Sequence, residues 1–246
     1  MSRRERYLEA LGIDVWQPRA AVAAAAAAEA HGASAPGPVS APQPMPAPSS
    51  LTSAASWDAL RAEVRGCIRC ELSGTRTQTV FGVGDPGAEL LVIGEAPGAD
   101  EDRQGEPFVG RAGQLLNSML RAMGNPRERV YIANVLKCRP PGNRDPKPEE
   151  VACCLPYLQR QVDLIGPKLI LAVGRIAAQN LLATDTPIGR LRGQVHRFGT
   201  SATPLIVTYH PAYLLRSPGE KRKAWTDLKL VRAELAQRRH ALPGST

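Results

Sequence analysis

Leu90-Leu91-Val92-Ile93-Gly94-Glu95-Ala96-Pro97-Gly98-Ala99-Asp100-Glu101-Asp102, continuing through Gln104-Gly105-Glu106-Pro107-Phe108-Val109-Gly110 to Arg111, is the stretch that decides the fold. Four consecutive apolar residues, Leu90 to Ile93, read as a strand covered on both faces. Behind the loop Ala112, Leu115, Leu116, Met119, Leu120 and Met123 recur at helical spacing. The unit is therefore a strand, a long loop and a helix. Two prolines, one aromatic and five carboxylates (Glu95, Asp100, Glu101, Asp102, Glu106) crowd the loop, far more chemistry than a simple connection carries. A phosphate cradle is excluded, because carboxylates at a helix N-terminus repel anions and no Gly-Lys-Ser/Thr follows.

Working outward, the same pattern repeats. Apolar runs at residues 90–93, 130–135, 169–173 and 205–209 alternate with helical patterns, which predicts right-handed crossovers and a parallel sheet of α/β class. A helical pattern at residues 57–64 ends at Gly66. The helix from Arg111 stops at Gly124-Asn125-Pro126, a terminal glycine with proline behind it. Pro148, Glu149 and Glu150 open the next, whose apolar stripe is Val151, Leu155, Leu158, Val162 and Ile165. The last helix, residues 221–239, buries Ala224, Leu228, Val231 and Leu235.

Composition divides the 246 residues. Residues 1–17 predict a short amphipathic segment with Tyr7, Leu8 and Leu11 on one side, and residues 18–53 form an Ala/Pro-rich linker. The folded domain is expected over residues 54–240, with a tail at 241–246. An alternative to a plain tail is that Leu11, Val15 and Trp16 of the N-terminal segment dock on a protein partner. Residues 1–50 carry four basic and four acidic side chains, so the whole net charge of +8 belongs to the domain. That balance suits a polyanion, nucleic acid first. Ser2-Arg3-Arg4 before an alanine run imitates an export signal, but Glu5, Glu9, Asp14 and Arg19 interrupt it. The expectation is a cytoplasmic, monomeric protein without a membrane span.

Five cysteines in such a chain point to thiols or metal ligands rather than disulfides. Cys67 and Cys70 have two residues between them; Cys138 follows the second apolar run, and Cys153 and Cys154 lie in the next helix. Four thiolates suit zinc or an iron-sulfur cluster, and spacing alone leaves both open. At about 100° per residue Cys154 falls at the edge of the inward stripe and Cys153 nearly opposite.

With these features in view, the sequence resembles the family 4 uracil-DNA glycosylases. The resemblance rests on Gly94-Glu95-Ala96-Pro97-Gly98, Gly105-Glu106-Pro107-Phe108-Val109-Gly110, Ile132-Ala133-Asn134-Val135, Lys137-Cys138-Arg139-Pro140-Pro141 and His210-Pro211-Ala212-Tyr213-Leu214-Leu215-Arg216, across about residues 57–238. It implies a three-layer α/β/α sandwich around a four-stranded parallel sheet, a [4Fe-4S] cluster on Cys67, Cys70, Cys138 and Cys154, and hydrolysis of the uracil-deoxyribose bond in uracil-containing DNA. Glu95, Asn134 and His210 each fall just past a different predicted strand, on the edge where parallel sheets bind ligands.

The resemblance also implies roles for single residues. Phe108 stacks on the extruded base, Asn134 pairs with O4 and N3–H of uracil, and His210 hydrogen-bonds O2, helped by backbone amides around Ala96. Glu95 positions water or stabilises the sugar cation, and Glu101 shapes the pocket. From side-chain chemistry and charge rather than the resemblance, Leu214 and Leu215 are expected to wedge into the duplex with Arg216 on a phosphate, and basic residues including Arg192 to meet the phosphate backbone. The competing reading is a non-catalytic metal-cluster DNA-binding module; release of free uracil separates the two.

Overall fold

All four apolar runs become strands at the centre of one sheet. The structure, a computed structural model, describes residues 53–240. The N-terminal segment 1–17, the linker up to residue 52 and the tail 241–246 lie outside the described residues. The first helix is α1 (Ser53–Arg65). After it come β1 (Val83–Gly84), β2 (Leu90–Gly94), α2 (Ala99–Gln104), α3 (Arg111–Ala122) and β3 (Tyr131–Asn134). Next are α4 (Pro148–Ile165), β4 (Leu169–Val173), α5 (Arg175–Leu182), α6 (Ile188–Leu191) and β5 (Val195–Phe198). The chain closes with β6 (Thr203–Thr208), α7 (Pro211–Arg216) and α8 (Lys221–His240).

Strand order is β1-β3-β2-β4-β6-β5. The inner four, β3-β2-β4-β6, are mutually parallel, with Gly94 opposite Asn134 and Leu91 opposite Ile170. The sheet has six strands rather than the expected four, because β1 and β5 add antiparallel edges. Neither edge carries a readable signal. β1 is two residues long, and β5 places Arg197 in solvent and leaves Val195 and His196 only half-buried. Short or charged edges of this kind protect a sheet from pairing with another chain.

Both faces of the sheet are covered, since side chains alternate along a strand. Leu91, Ile93, Ala133, Ile170, Ala172, Leu205 and Val207 pack on one side with Trp57, Leu60 and Val64 of α1 and Leu158 and Val162 of α4. Leu90, Val92, Ile132, Leu171, Val173 and Ile206 pack on the other with Leu116 and Leu120 of α3 and Leu228, Val231 and Leu235 of α8. The result is the three-layer α/β/α sandwich. Chain direction reverses around β2: the path leaves β2 for β3 on one side and returns to β4 on the other. Ligand crevices form at such a reversal, beyond the C-terminal strand ends.

The acidic stretch is not wholly loop. Residues Ala99–Gln104 wind into α2, with Gly98 as N-cap. Three of its carboxylates hold local structure: Asp102, buried, accepts from Thr77 N at 2.9 and 3.0 Å, Asp100 pairs with Arg103, and Glu101 accepts from Gly98 N and Val109 N at 3.1 Å each.

Candidate active site

Three strands deliver the site. β2 ends at Gly94, placing Glu95 at its tip; β3 ends on Asn134; β6 runs through Tyr209 to His210, the N-cap of α7. Glu95, Ala96, Glu101, Phe108, Asn134 and His210 share one cavity of about 430 Å³, with Arg216 also on its wall. A larger cavity of about 680 Å³ lies against α1 and β1, and none of Glu95, Asn134 or His210 borders it.

Close packing fixes the geometry. A Cβ on Gly94 would lie 2.7 Å from the Phe108 ring and clash with Asn134 Oδ1, so glycine is required where β2 passes these two side chains. At Gly174 φ is +103°, and a Cβ would stand 3.1 Å from that of His210. Phe108 has a left-handed backbone, φ 57°, a strained conformation for a residue with a side chain. It is held there by neighbours: Val109 N donates to Glu101, and Arg127 Nη2 donates to Pro107 O at 2.7 Å. The Phe108 and His210 rings lie 5.6 Å apart, tilted by 30°.

Protonation states follow from burial. Glu95 is pushed up to about 7, mainly by desolvation and then by the Asp145 carboxylate, with Arg175 partly opposing. His210 is pulled down to about 4, mainly by desolvation and then by the Arg216 charge, so its ring is neutral at physiological pH. Ala212 N donates to His210 Nδ1 at 3.1 Å, which leaves the ring proton on Nε2. Asn134 is 2% exposed, and its Oδ1 is buried without a partner among the described residues. An unpartnered buried acceptor costs about 1–3 kcal/mol, and packing alone does not account for this one.

The DNA-facing expectations divide. Leu215 is 37% exposed and Arg216 is exposed, whereas Leu214 is 1% exposed and packs in the core with Leu228. The six-residue α7 has two faces, and Leu214 occupies the inner one; the wedge reading therefore loses Leu214. Arg192 Nε bonds buried Asp227 Oδ2 at 2.7 Å, and its guanidinium lies 4.3 Å over the Tyr209 ring. Only 10% of the Arg192 side chain is exposed, which removes it as a phosphate contact. Sequence could not show this, because Asp227 lies 35 residues away.

Cys67, Cys70, Cys138 and Cys154 belong to, or pack against, one apolar cluster on the α1 and α4 side of the sheet. Cys154 is buried and Cys153 is not; the Cys153 thiol donates to Arg69 O at 3.2 Å. Arg76 Nη1 donates to Cys138 Sγ at 3.1 Å and Lys137 N to Cys154 Sγ at 3.4 Å. Burial raises Cys154 to about 11 and also raises Cys138 and Cys70. Among the described residues no three His, Cys, Asp or Glu side chains are gathered as a ready site for a metal ion.

A family model for the uracil DNA glycosylase superfamily matches residues 81–229. The type-4 uracil-DNA glycosylase of Archaeoglobus fulgidus is 48% identical over 183 residues, 72% of this chain and 92% of that one. Those of Sulfurisphaera tokodaii and Thermotoga maritima are 42% and 43% identical, covering 74% and 63% of this chain and 85% and 80% of theirs. The chain belongs to the type-4 uracil-DNA glycosylases. Within that family assignment, the structure adds residues that sequence reasoning passed over. Asp145, with Pro140 and Asn143, comes to the cavity from the segment between β3 and α4, and Arg175 pairs with it at 2.8 Å. Asp145 sits in a polar loop and carries no spacing signal.

Proposed function

We propose that the protein rotates uracil out of DNA and hydrolyses its N-glycosidic bond, leaving an abasic site. The observation that carries this reading is one cavity lined together by Asn134, whose buried Oδ1 has no partner among the described residues, by a neutral histidine and by a perturbed glutamate. Uracil offers N3–H to Oδ1 and O4 to the amide N–H. Cytosine reverses both groups, and a site that must leave its polar atoms unpaired rejects such a base.

As the bond from N1 to C1′ breaks, its electron pair moves into the base, and negative charge builds on O2. His210 Nε2–H donates to that oxygen; being neutral already, it stabilises the leaving anion without first losing a proton. Ala96 N–H adds to the same side. Phe108 offers a ring face to the base. Glu95, ionised above about 7, orients the attacking water and balances the cationic sugar. No lysine borders the cavity among the described residues, so the product is an abasic site with the strand uncut.

DNA is held by exposed Arg216 and the basic α8, with Leu215 entering the space the base vacates. The thiols of Cys67, Cys70, Cys138 and Cys154 would hold a [4Fe-4S] cluster. The donor set fits: two N–H groups already aim at sulfurs, and one thiolate per iron spreads the ligands more widely than a single ion requires. Holding the cluster would tie together the segments before β1, after β3 and in α4 that carry these four thiols. A monomer is part of the same reading, and no helix among the described residues is long and apolar enough to cross a membrane. Cytoplasmic residence remains part of the same reading.

The test is release of free uracil from a uracil-containing oligonucleotide. Release with an intact strand is the expected result. DNA binding without release would instead favour the non-catalytic module.

A further inference from the structure

Lys137 belongs to no part of the chemistry above, yet its whole side chain is buried, 1% exposed, directly beneath the site. Its Nζ donates to Asn134 O at 2.9 Å and to Gln161 Oε1 at 2.6 Å, and Gln161 Nε2 donates onward to Phe81 O at 3.0 Å. Gln161 is itself fully buried on α4. A buried ammonium is costly, and so is a half-satisfied polar network, so packing alone does not explain three linked polar groups where apolar ones would fit.

The backbone around Lys137 is equally committed. Val135 N donates to Gly94 O at 2.9 Å and Leu136 N to Glu95 O at 3.0 Å, joining this turn to the end of β2. Val80 N donates to Lys137 O at 2.8 Å. Four residues, Asn134 to Lys137, thus hold the uracil-reading amide at one end and the Glu95 backbone in the middle. Asn134 closes a strand and has no further strand residue to fix its carbonyl. Lys137 Nζ supplies that partner.

We infer that Lys137, anchored by Gln161, is a positioning residue for base recognition: it locks the Asn134 backbone so that the side-chain amide stands in register with the uracil edge. This inference rests on the uracil-excision reading. Lys137 touches no substrate and takes no part in proton transfer. Its loss should weaken recognition of the base more than attachment to DNA.

The experiment uses the full chain and four readouts: inhibition by free uracil, the KM and kcat for uracil excision, affinity for undamaged duplex, and thermal melting with iron content. Lys137→Met keeps the volume and removes the donors. It is expected to weaken inhibition by free uracil about tenfold to a hundredfold and to raise KM, with undamaged-duplex affinity and iron per chain unchanged. Gln161→Leu, which leaves Lys137 in place without its anchor, should act in the same direction but less, and Gln161→Glu, which keeps the acceptor for Lys137 but loses the donor to Phe81 O, should recover part of the uracil affinity that Gln161→Leu loses.

Uracil inhibition unchanged in a folded Lys137→Met protein would overturn the inference, as would activity falling only in step with the folded fraction. If Lys137→Met does not fold, the glutamine pair decides: a Gln161→Leu protein equal to its parent in uracil inhibition rejects the role. Parent protein that releases no uracil would refute the excision reading itself, before any variant is compared.

Discussion

Burial displaces Glu95 and His210 in opposite directions from their ordinary ranges, Glu95 to about 7 and His210 to about 4. The consequences for pH differ in sign. In the proposed mechanism Glu95 works as a carboxylate, so kcat should rise with pH through about 7 and then level. Glu95→Gln should lower kcat by about 10²–10⁴-fold and flatten that rise; a retained pH profile in the variant would remove Glu95 from the chemistry. For stability, the raised Glu95 value means a contribution present below its ordinary 4.5 and lost as pH climbs through about 7. Glu95→Gln should therefore melt higher than the parent above neutrality. His210 behaves inversely: its contribution is present above the ordinary 6.5 and is lost as pH falls through about 4.

At the scale of an element, α7 has one face in the core and one in solvent. Leu214 faces the core and Leu215 the solvent, on adjacent positions. Leu214→Ala should destabilise the fold by about 2–5 kcal/mol, as other buried leucine truncations do. Leu215→Ala should leave melting within about 0.5 kcal/mol of the parent while reducing excision from duplex more than from single-stranded DNA. Equal losses on both substrates would argue against a wedge. The acidic segment from Glu95 to Gly110 makes the same point about division of labour. Its carboxylates look alike in sequence, but Asp102 and Glu101 fasten backbone amides, and Glu95 alone is left half-buried at the cavity with a strongly raised value.

Across the whole molecule, the excess of positive charge lies in residues 51–246, which include the face that carries the site. Binding to DNA should weaken steeply with salt, and Arg216→Ala should reduce the salt slope by about 1. Arg192→Ala should leave the slope unchanged and lower stability instead, because that guanidinium already neutralises buried Asp227. The thiol set yields a second global test. Cys154→Ser should remove iron and visible colour and lower the melting temperature, whereas Cys153→Ser should retain all three. Colourless parent protein holding zinc would contradict the cluster.

Sequence by itself determined the four parallel strands, since runs such as Leu169–Val173 are apolar enough to be buried on both faces whatever surrounds them. It also placed Glu95, Asn134 and His210 on one sheet edge, because a parallel sheet puts every strand's C-terminal end on the same side. Tertiary structure alone decided what each polar side chain meets. The partners are distant in the chain: Asp227 for Arg192, Gln161 for Lys137, Thr77 for Asp102. Edge strands β1 and β5 escaped for a related reason, being too short or too polar to show a pattern and existing only through pairing with β3 and β6. Local periodicity records which residues must be buried; it does not record which charges burial brings together, and at this site those charges set the chemistry.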